Sequence, residues 1–475
     1  MNLYIFIFLA AVVALIIALI AAAFKNVFFS DEAEEYAKQI ELGDKIPSSI
    51  KECTKESSFL GIEQNMRIPV FLPDKVRSRH VHIMGATGSG KTESVLLNLI
   101  DQDAKRGHPI VILDAKGDQS FINFLRSHPN AKDRLLVFDV GSESSVAYNP
   151  LAAGSNTEAV SRLFTSMTWS EEFYKTRARE ILLKLADRAD SKSINLSLSR
   201  LNQSLASAAA LADALKENKN PLAITENEYS QLSGLVAQVN QLCHGRLGKL
   251  ISGENTKNEL NLAKAIQDKK IIYFRLPALV DPVTTITLGR LIISDLSFYS
   301  AQVQAGVIEK PVFTPVFLDE FGSLACHAFL ELIAKARSAG MALHFSHQSL
   351  GDLKAAGDTF ASQVNDNSST KIVMRVYDPE TAETVAKTFG TKHNTKSTRQ
   401  VVLGSLGGQS GTGAMSIRDV KEFRADPDQI KSLPTGTAFV LMNHALRPFG
   451  ASGDVFKVLF PLPPVYCEEK AKETN

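Results

Sequence analysis

The sequence Gly-Ala-Thr-Gly-Ser-Gly-Lys-Thr at residues 85–92 decides the fold class of this chain. It follows an apolar stretch at 80–84 and precedes helical spacing at 93–100, the strand, loop and helix context that the G-x-x-x-x-G-K-[ST] motif requires. Glycines let backbone N–H groups surround phosphates, and the following helix adds the positive end of its dipole. We expect Lys91 to reach the β- and γ-phosphates of ATP and Thr92 to ligate Mg²⁺. The predicted phosphate cradle consists of Gly85, Ala86, Thr87, Gly88, Ser89, Gly90, Lys91 and Thr92.

Two further apolar segments end in carboxylates. Residues 109–113 (PIVIL) are followed by Asp114, and residues 315–318 (PVFL) by Asp319 and Glu320. Such runs are typical of strands in a parallel sheet, whose carboxyl ends face the ligand crevice. We expect Asp114 to contact the nucleotide, Asp319 to help hold Mg²⁺, and Glu320 to polarise the attacking water. For Asp114, a solvated strand end is the alternative.

A third strand is predicted over residues 342–347 (ALHFSH), and it ends at Gln348. A glutamine beside the strand of Asp319 can sense the γ-phosphate and relay its loss to neighbouring loops. His344 and His347 have no third ligand at suitable spacing, so we expect packing and supporting roles for both, not a metal site.

The composition limits the classes of function. The 475 residues include 52 Lys and Arg and 51 Asp and Glu, a formal net charge of +1. This argues against DNA binding by bulk positive charge, so any DNA contact must be local. Four distant cysteines without a CxxC pair indicate neither a disulfide framework nor a zinc cluster.

The first 24 residues carry no charged side chain and form an apolar run that ends at Lys25. A helix of that length extends about 36 Å, enough to cross a hydrocarbon core of about 30 Å. No Lys or Arg precedes the run, which favours a retained transmembrane anchor at 1–25 over a cleaved signal peptide. Because the nucleotide site needs ATP, we expect the rest of the chain to face the cytoplasm.

Taken in order, the motifs resemble those of the coupling-protein ATPases of type IV secretion and conjugation systems, within the HerA/FtsK group of P-loop motor ATPases. The resemblance extends over essentially the whole chain. It rests on GATGSGKT at 85–92, VILDAKGD at 111–118, FLDEFGSL at 317–324 and IAKARSAGMALHFSHQSL at 333–350.

The resemblance implies a hexameric inner-membrane ATPase that uses ATP and Mg²⁺ to deliver DNA, or relaxase-type proteins bound to DNA, to a secretion channel. It implies that Arg337 reaches the nucleotide of a neighbouring subunit, where a guanidinium stabilises transition-state charge. It also implies that Gln348 is the sensor glutamine of the family. Two membrane helices are implied as well, whereas residues 26–58 are too polar to supply a second one.

The predicted fold class is α/β, with a RecA-like P-loop domain, a parallel-rich central sheet, an inserted all-α domain and one N-terminal transmembrane helix. Between Pro150 and Pro277 the only proline is Pro221, and helical spacing recurs throughout. The predicted units are the anchor at 1–25, a linker at 26–60, the RecA-like domain at 61–151 and 266–463, the all-α insertion at 152–265 and a charged tail at 464–475.

A Gly/Ser-rich stretch at 404–413 has two interpretations. It is either a hairpin in a ring pore, with Lys392, Lys396 and Arg399 near a phosphate backbone, or an ordinary solvent loop. Three functions remain open: a DNA-delivering ATPase, a coupling ATPase for protein effectors only, and a structural subunit controlled by nucleotide. Glu320 argues against the third, since a structural site needs no water-polarising carboxylate.

Overall fold

The computed structural model describes most of the chain beyond the predicted anchor. The anchor at 1–25 and most of the linker at 26–60 lie outside the described residues, and among those that are described no helix is long and apolar enough to cross a membrane. The described residues are 55–65, 67–216, 224–253, 259–276, 281–357, 359–403, 409–442 and 454–466.

Strands alternate with helices along the chain, as an α/β fold requires. The strands are β1 (Ser57–Glu63), β2 (Pro69–Pro73), β3 (Val81–Met84), β4 (Ile110–Asp114), β5 (Leu135–Asp139), β6 (Ala147–Tyr148), β7 (Glu259–Leu260), β8 (Ile271–Arg275), β9 (Thr314–Asp319), β10 (Met341–His347), β11 (Thr370–Val373), β12 (Thr391–Leu403), β13 (Gln409–Phe423), β14 (Thr437–Met442) and β15 (Asp454–Leu459).

The α-helices are α1 (Asp74–Arg77), α2 (Leu97–Arg106), α3 (Gln119–Ser127), α4 (Asn156–Ser166), α5 (Glu172–Ser191), α6 (Leu198–Ser204), α7 (Ala208–Leu215), α8 (Glu226–Ser230), α9 (Ser233–Leu242), α10 (Gly245–Ile251), α11 (Leu262–Gln267), α12 (Pro282–Gln304), α13 (His327–Lys335), α14 (Leu350–Lys354), α15 (Phe360–Asp366), α16 (Pro379–Phe389) and α17 (Pro427–Lys431). A π-helical turn (Lys91–Leu96) leads into α2, and 3₁₀ turns cover Lys132–Arg134, Phe321–Leu324 and Ala336–Ala339.

The central sheet has eleven strands in the order β2-β1-β15-β14-β11-β3-β10-β9-β4-β8-β5. The seven strands from β11 to β5 are parallel to one another, and the remaining four pair antiparallel at one edge. The predicted parallel-rich sheet is therefore confirmed. Strand β1 begins at Ser57, inside the segment predicted as a linker.

Alternating side chains of the strands face two separate hydrophobic cores. On β4, Val111 and Leu113 belong to one core, whereas Ile110 and Ile112 belong to the core on the opposite face. The first core continues into helices α5, α7 and α9 of the predicted insertion. This helical region thus shares its core with the sheet, and the short β6–β7 pair lies where the chain leaves and re-enters it.

Residues 391–423 form a long antiparallel ribbon of β12 and β13 that is separate from the central sheet. The Gly/Ser-rich stretch predicted at 404–413 lies at its end, with 409–413 inside β13 and 404–408 outside the described residues. Of the two interpretations of this stretch, the hairpin agrees with the structure. Its place relative to a ring pore stays a prediction.

A fully buried ion pair connects the N-terminal segment to the centre of the sheet. Arg77 and Asp103 are both 0% exposed and form a two-point contact, in which Arg77 Nη1 lies 2.7 Å from Asp103 Oδ1. Arg77 also donates to Ser58 Oγ at 3.1 Å and to His344 Nε2 at 2.7 Å. Burial alone would raise the pKa of Asp103, but the charges of Arg77 and, to a smaller extent, Arg106 outweigh it and the pKa is lowered. The pair therefore stays charged and ties β1 and α1 to α2 and β10.

Replacing Arg77 by leucine should lower the free energy of unfolding by about 3 kcal/mol, because Asp103 would lose its fully buried partner and keep only Arg106, whose Nη2 lies 2.8 Å from Asp103 Oδ1 and whose side chain is 12% exposed. The measurement is urea unfolding followed by circular dichroism. Lys354→Ala is the control, since its ion pair with Glu380 is exposed (45% and 73%) and should contribute at most about 1 kcal/mol. Equal losses in the two variants would contradict this role of the buried pair.

Candidate nucleotide site

The loop at 85–90 follows β3, and its first two residues are held by the end of β10 and by the segment after β11. Gly85 N–H donates to the carbonyl of His347 at 3.2 Å, and Ala86 N–H donates to that of Arg375 at 2.7 Å. Gly88 and Gly90 have φ values of +75° and +99°, in the region that favours glycine. The loop therefore curves back on itself immediately before the helix at Lys91 begins.

Backbone amides of this loop are left for a ligand. Among the described residues, the N–H groups of Thr87, Gly88 and Gly90 have no backbone carbonyl partner. Lys91 is 6% exposed, and its Nζ donates to the carbonyls of Gly85 at 2.6 Å and Ala86 at 3.3 Å. Burial lowers the pKa of Lys91, and the nearby carboxylates of the site oppose this effect. The arrangement is a positively polarised cradle of the size and chemistry of a phosphate chain.

The predicted metal-holding residues meet at the edge of the cradle. Thr92 Oγ1 donates to Asp319 Oδ2 at 2.9 Å, and Asp319 Oδ1 accepts from Ser346 Oγ at 2.5 Å. Oxygen donors of this kind suit Mg²⁺, which takes few protein ligands and completes its shell with water and phosphate. No cluster of three or more His, Cys, Asp or Glu with metal-site geometry occurs among the residues described.

The next carboxylate, Glu320, lies in the turn that follows β9. Its backbone φ is +49°, a left-handed conformation that is uncommon for glutamate. Gln348 Nε2 lies 3.5 Å from Glu320 Oε2, and the side chain of Gln348 is exposed. Because β10 pairs with both β3 and β9, the predicted sensor stands between the phosphate loop and Glu320.

Asp114 is close to these groups, but its carboxylate is already occupied by its own loop. Oδ1 accepts from the amides of Lys116 and Gly117, and Oδ2 accepts from the amide of Asp118 and from Tyr273 Oη at 2.7 Å. The side chain is 0% exposed, and burial raises its pKa to about 6. This geometry favours a role in shaping the loop after β4, whereas direct nucleotide contact by Asp114 stays an untested prediction.

Arg337 is the one predicted site residue that the fold does not bring to this edge. It lies in the 3₁₀ turn before β10, whereas Gln348 follows the same strand. The seven residues of β10 make six steps of about 3.3 Å, so the two ends of the strand lie about 20 Å apart. The side chain of Arg337 is exposed. It lies at the amino ends of the parallel strands, whereas the phosphate loop lies at their carboxyl ends.

Two residues that shape the site were missed by sequence reasoning. Arg275, at the end of β8, donates to the carbonyl of Gly117 at 2.8 Å and pairs with Asp139 at 3.1 Å. Thr435 Oγ1 donates to the carbonyl of Gly88 at 3.2 Å. Only Arg275 had a visible signal, namely a basic residue directly after the apolar run KIIYF. Thr435 is 347 positions from its partner in sequence and no local pattern marks it.

The fold and the site together define a P-loop nucleotide-binding protein, and comparison with protein families makes the assignment more specific. Residues 59–310 match the family model described as the central domain of the helicase HerA, and residues 314–435 match the model described as the TraM recognition site of TraD and TraG. The first match spans just over half of the 475 residues. The chain belongs to the HerA central-domain family.

The chain is also similar to individual coupling proteins. The chain is 27% identical over 411 residues to the type 4 coupling protein DotL of Legionella pneumophila, covering 69% of this chain and 51% of DotL. It therefore spans about half the length of that relative. The fold is similar to that of the conjugative coupling protein TrwB in its unbound form, with a TM-score of 0.64 and 18% identity over 89% of this chain and 92% of that one. TrwB in complex with ADP and Mg²⁺ gives a TM-score of 0.61 and 19% identity, covering 88% and 92% of the two chains.

Gly90→Ala should weaken the binding of ATP by about tenfold or more, or about 1.4 kcal/mol. The new Cβ would lie 3.0 Å from Ser94 Oγ and 3.2 Å from the amide nitrogen of Gly436, at a φ of +99°. Titration with a fluorescent ATP analogue measures the change. Gly107→Ala is the matched control, since Gly107 also has a positive φ (+75°) but no atom within 4 Å of the new Cβ. Unchanged affinity in Gly90→Ala would contradict the cradle.

Proposed function

We propose that this chain is a membrane-anchored, hexameric ATPase that acts as a coupling protein of a type IV secretion or conjugation system. One observation carries the proposal: the phosphate loop, Asp319, Glu320 and Gln348 lie together at the carboxyl ends of three neighbouring strands. The chain that forms this sheet belongs to the HerA central-domain family. The similarity to DotL and the fold of TrwB support the choice within that family. The apolar residues 1–24 support an inner-membrane anchor with the ATPase in the cytoplasm.

ATP with Mg²⁺ supplies the γ-phosphoryl group and the neutralising charge. Lys91, now held by two loop carbonyls, would turn to the phosphates, while Thr92 and Asp319 would hold the metal. Glu320 would accept the proton of the attacking water. Gln348, 3.5 Å from Glu320, would detect whether the γ-phosphate is present.

The position of Arg337 supports a ring. The nucleotide site of its own chain lies at the opposite ends of the strands, so Arg337 can take part in catalysis only at the site of a neighbouring subunit. Its side chain is exposed and can reach such a neighbour. A guanidinium supplied between subunits contributes about 10³–10⁵ to the rate in other P-loop enzymes. We therefore propose that hydrolysis requires assembly.

The cargo is proposed to be DNA, alone or with a bound relaxase-type protein, and the partners are the inner-membrane components of the secretion channel. The β12–β13 ribbon is the proposed nucleic-acid contact, because it is separate from the central sheet and its sequence from 391 to 418 contains no Asp or Glu, its two carboxylates, Asp419 and Glu422, lying at the base of β13. A net charge of +1 favours a second candidate, a coupling ATPase for protein effectors.

Steady-state ATP hydrolysis by the purified full-length chain tests the proposal. Turnover should rise several-fold when single- or double-stranded DNA is added, and the effect should weaken steeply with salt because phosphate contacts release counterions. Glu320→Gln should lower turnover by at least about 10² and leave nucleotide affinity unchanged, since it removes only the proton acceptor.

Lys91→Ala defines the background rate. Turnover that is equal in the wild type and in Lys91→Ala would overturn the ATPase. Turnover that depends on Lys91 and Glu320 but does not respond to DNA would favour protein cargo.

A further inference from the structure

Two fully buried histidines join the strand of the phosphate loop to the strand of the sensor. His82 on β3 and His347 at the end of β10 are each 0% exposed, and their Nε2 atoms lie 2.6 Å apart. Nothing in the nucleotide chemistry described above uses this pair. The sequence predicted only packing and supporting roles for His347.

The surrounding partners fix which atom of each ring carries the proton. His347 Nδ1 lies 2.7 Å from the carbonyl of Ser349, so Nδ1 must be the donor. His82 Nε2–H then donates to His347 Nε2, since the reverse direction would put a hydrogen on the buried His82 Nδ1. That Nδ1 has no partner in the part of the chain that the structure describes, so this direction leaves no buried N–H unsatisfied. Burial, His347 and Lys371 together hold the pKa of His82 well below its ordinary value, which keeps His82 neutral.

The segment that follows His347 contacts the phosphate loop and the turn after Glu320, and it contains Gln348. Asp352 Oδ2 accepts from the amide of Gln348 at 2.9 Å and from that of Ser349 at 3.0 Å, and it lies 3.8 Å from His347 Nδ1. The carbonyl of His347 accepts from the amide of Gly85 in the phosphate loop. The turn after Glu320 packs against Asp352 so closely that a Cβ on Gly322 would lie 2.8 Å from Asp352 Cβ.

We propose that the hydrogen bond from His82 to His347, here called the strut, fixes the positions of Gln348 and Asp352 relative to the phosphate loop. In these positions Gln348 distinguishes a bound triphosphate from a diphosphate. The proposal rests on the proposed function. His82 and His347 touch no reacting atom in it. They act through the backbone of residues 347–349, and a displacement of about 1 Å there is enough to cost up to about 10² in rate.

The experiment compares two replacements of His82 in the full-length chain. His82→Gln can keep a donor near the position of Nε2, whereas His82→Phe keeps an aromatic ring against Phe345, whose centroid is 4.8 Å away, and loses the donor. His82→Phe should lower kcat about tenfold with little change in KM, and His82→Gln should restore at least half of the wild-type kcat.

Equilibrium binding gives a readout that needs no turnover. Displacement of a fluorescent ADP derivative by ADP and by a non-hydrolysable ATP analogue measures how strongly each variant discriminates the γ-phosphate. His82→Phe should bind ADP as the wild type does and lose several-fold in its preference for the triphosphate. His347→Asn, which keeps a donor near Ser349 but not the acceptor for His82, should behave like His82→Phe and covers the case in which His82→Phe does not fold.

The strut is overturned if His82→Phe discriminates and turns over like the wild type, or if His82→Gln loses as much as His82→Phe, since the pair would then serve packing alone. If the wild-type chain shows no ATP hydrolysis, the proposed ATPase function is wrong. The binding comparison between ADP and the ATP analogue would still test the role of the His82–His347 hydrogen bond.

Discussion

The pairing of β10 with β3 on one side and β9 on the other is the constraint on which the site depends. In a parallel sheet the carboxyl ends of neighbouring strands meet at one edge, so this pairing alone brings Gly85, Gln348 and Asp319 together. Every strand in the triplet is buried, and a shift of one residue would turn its side chains to the wrong core. Register and chemistry are thus set by the same hydrogen bonds.

The two ends of β10 lie next to two different predicted site residues, Arg337 before the strand and Gln348 after it. Because β10 runs from the turn that contains Arg337 to Gln348, it ends at the site of its own chain and begins at a surface on the opposite edge. In the proposed ring, this strand would connect Gln348 at the site of one subunit to the Arg337 that reaches the site of its neighbour. Buried hydrogen bonds hold this strand at two places, where His344 contacts Arg77 and where His347 contacts His82.

Sequence reasoning succeeded where the signal is local. The phosphate loop, the strands before Asp114 and Asp319, and the strand before Gln348 all have an apolar run followed by a polar end, and each forms as predicted. It did not reveal contacts between distant segments. The hydrogen bond from Tyr273, 159 positions away, favours a role of Asp114 in shaping its own loop, and its contact with the nucleotide stays a prediction. Nor could helical periodicity show that the predicted insertion shares its core with the sheet.

The central claim is that one subunit's site is completed by Arg337 of another, and subunit mixing tests it most directly. Arg337→Ala lacks the arginine but keeps Glu320, and Glu320→Gln lacks the proton acceptor but keeps Arg337. Because each variant lacks one required group, each alone should be nearly inactive. If the arginine acts between subunits, mixed assemblies contain interfaces with both residues intact, and ATP hydrolysis should reappear at a substantial fraction of the wild-type rate. Mixtures that hydrolyse no faster than the sum of the separate variants would contradict the account.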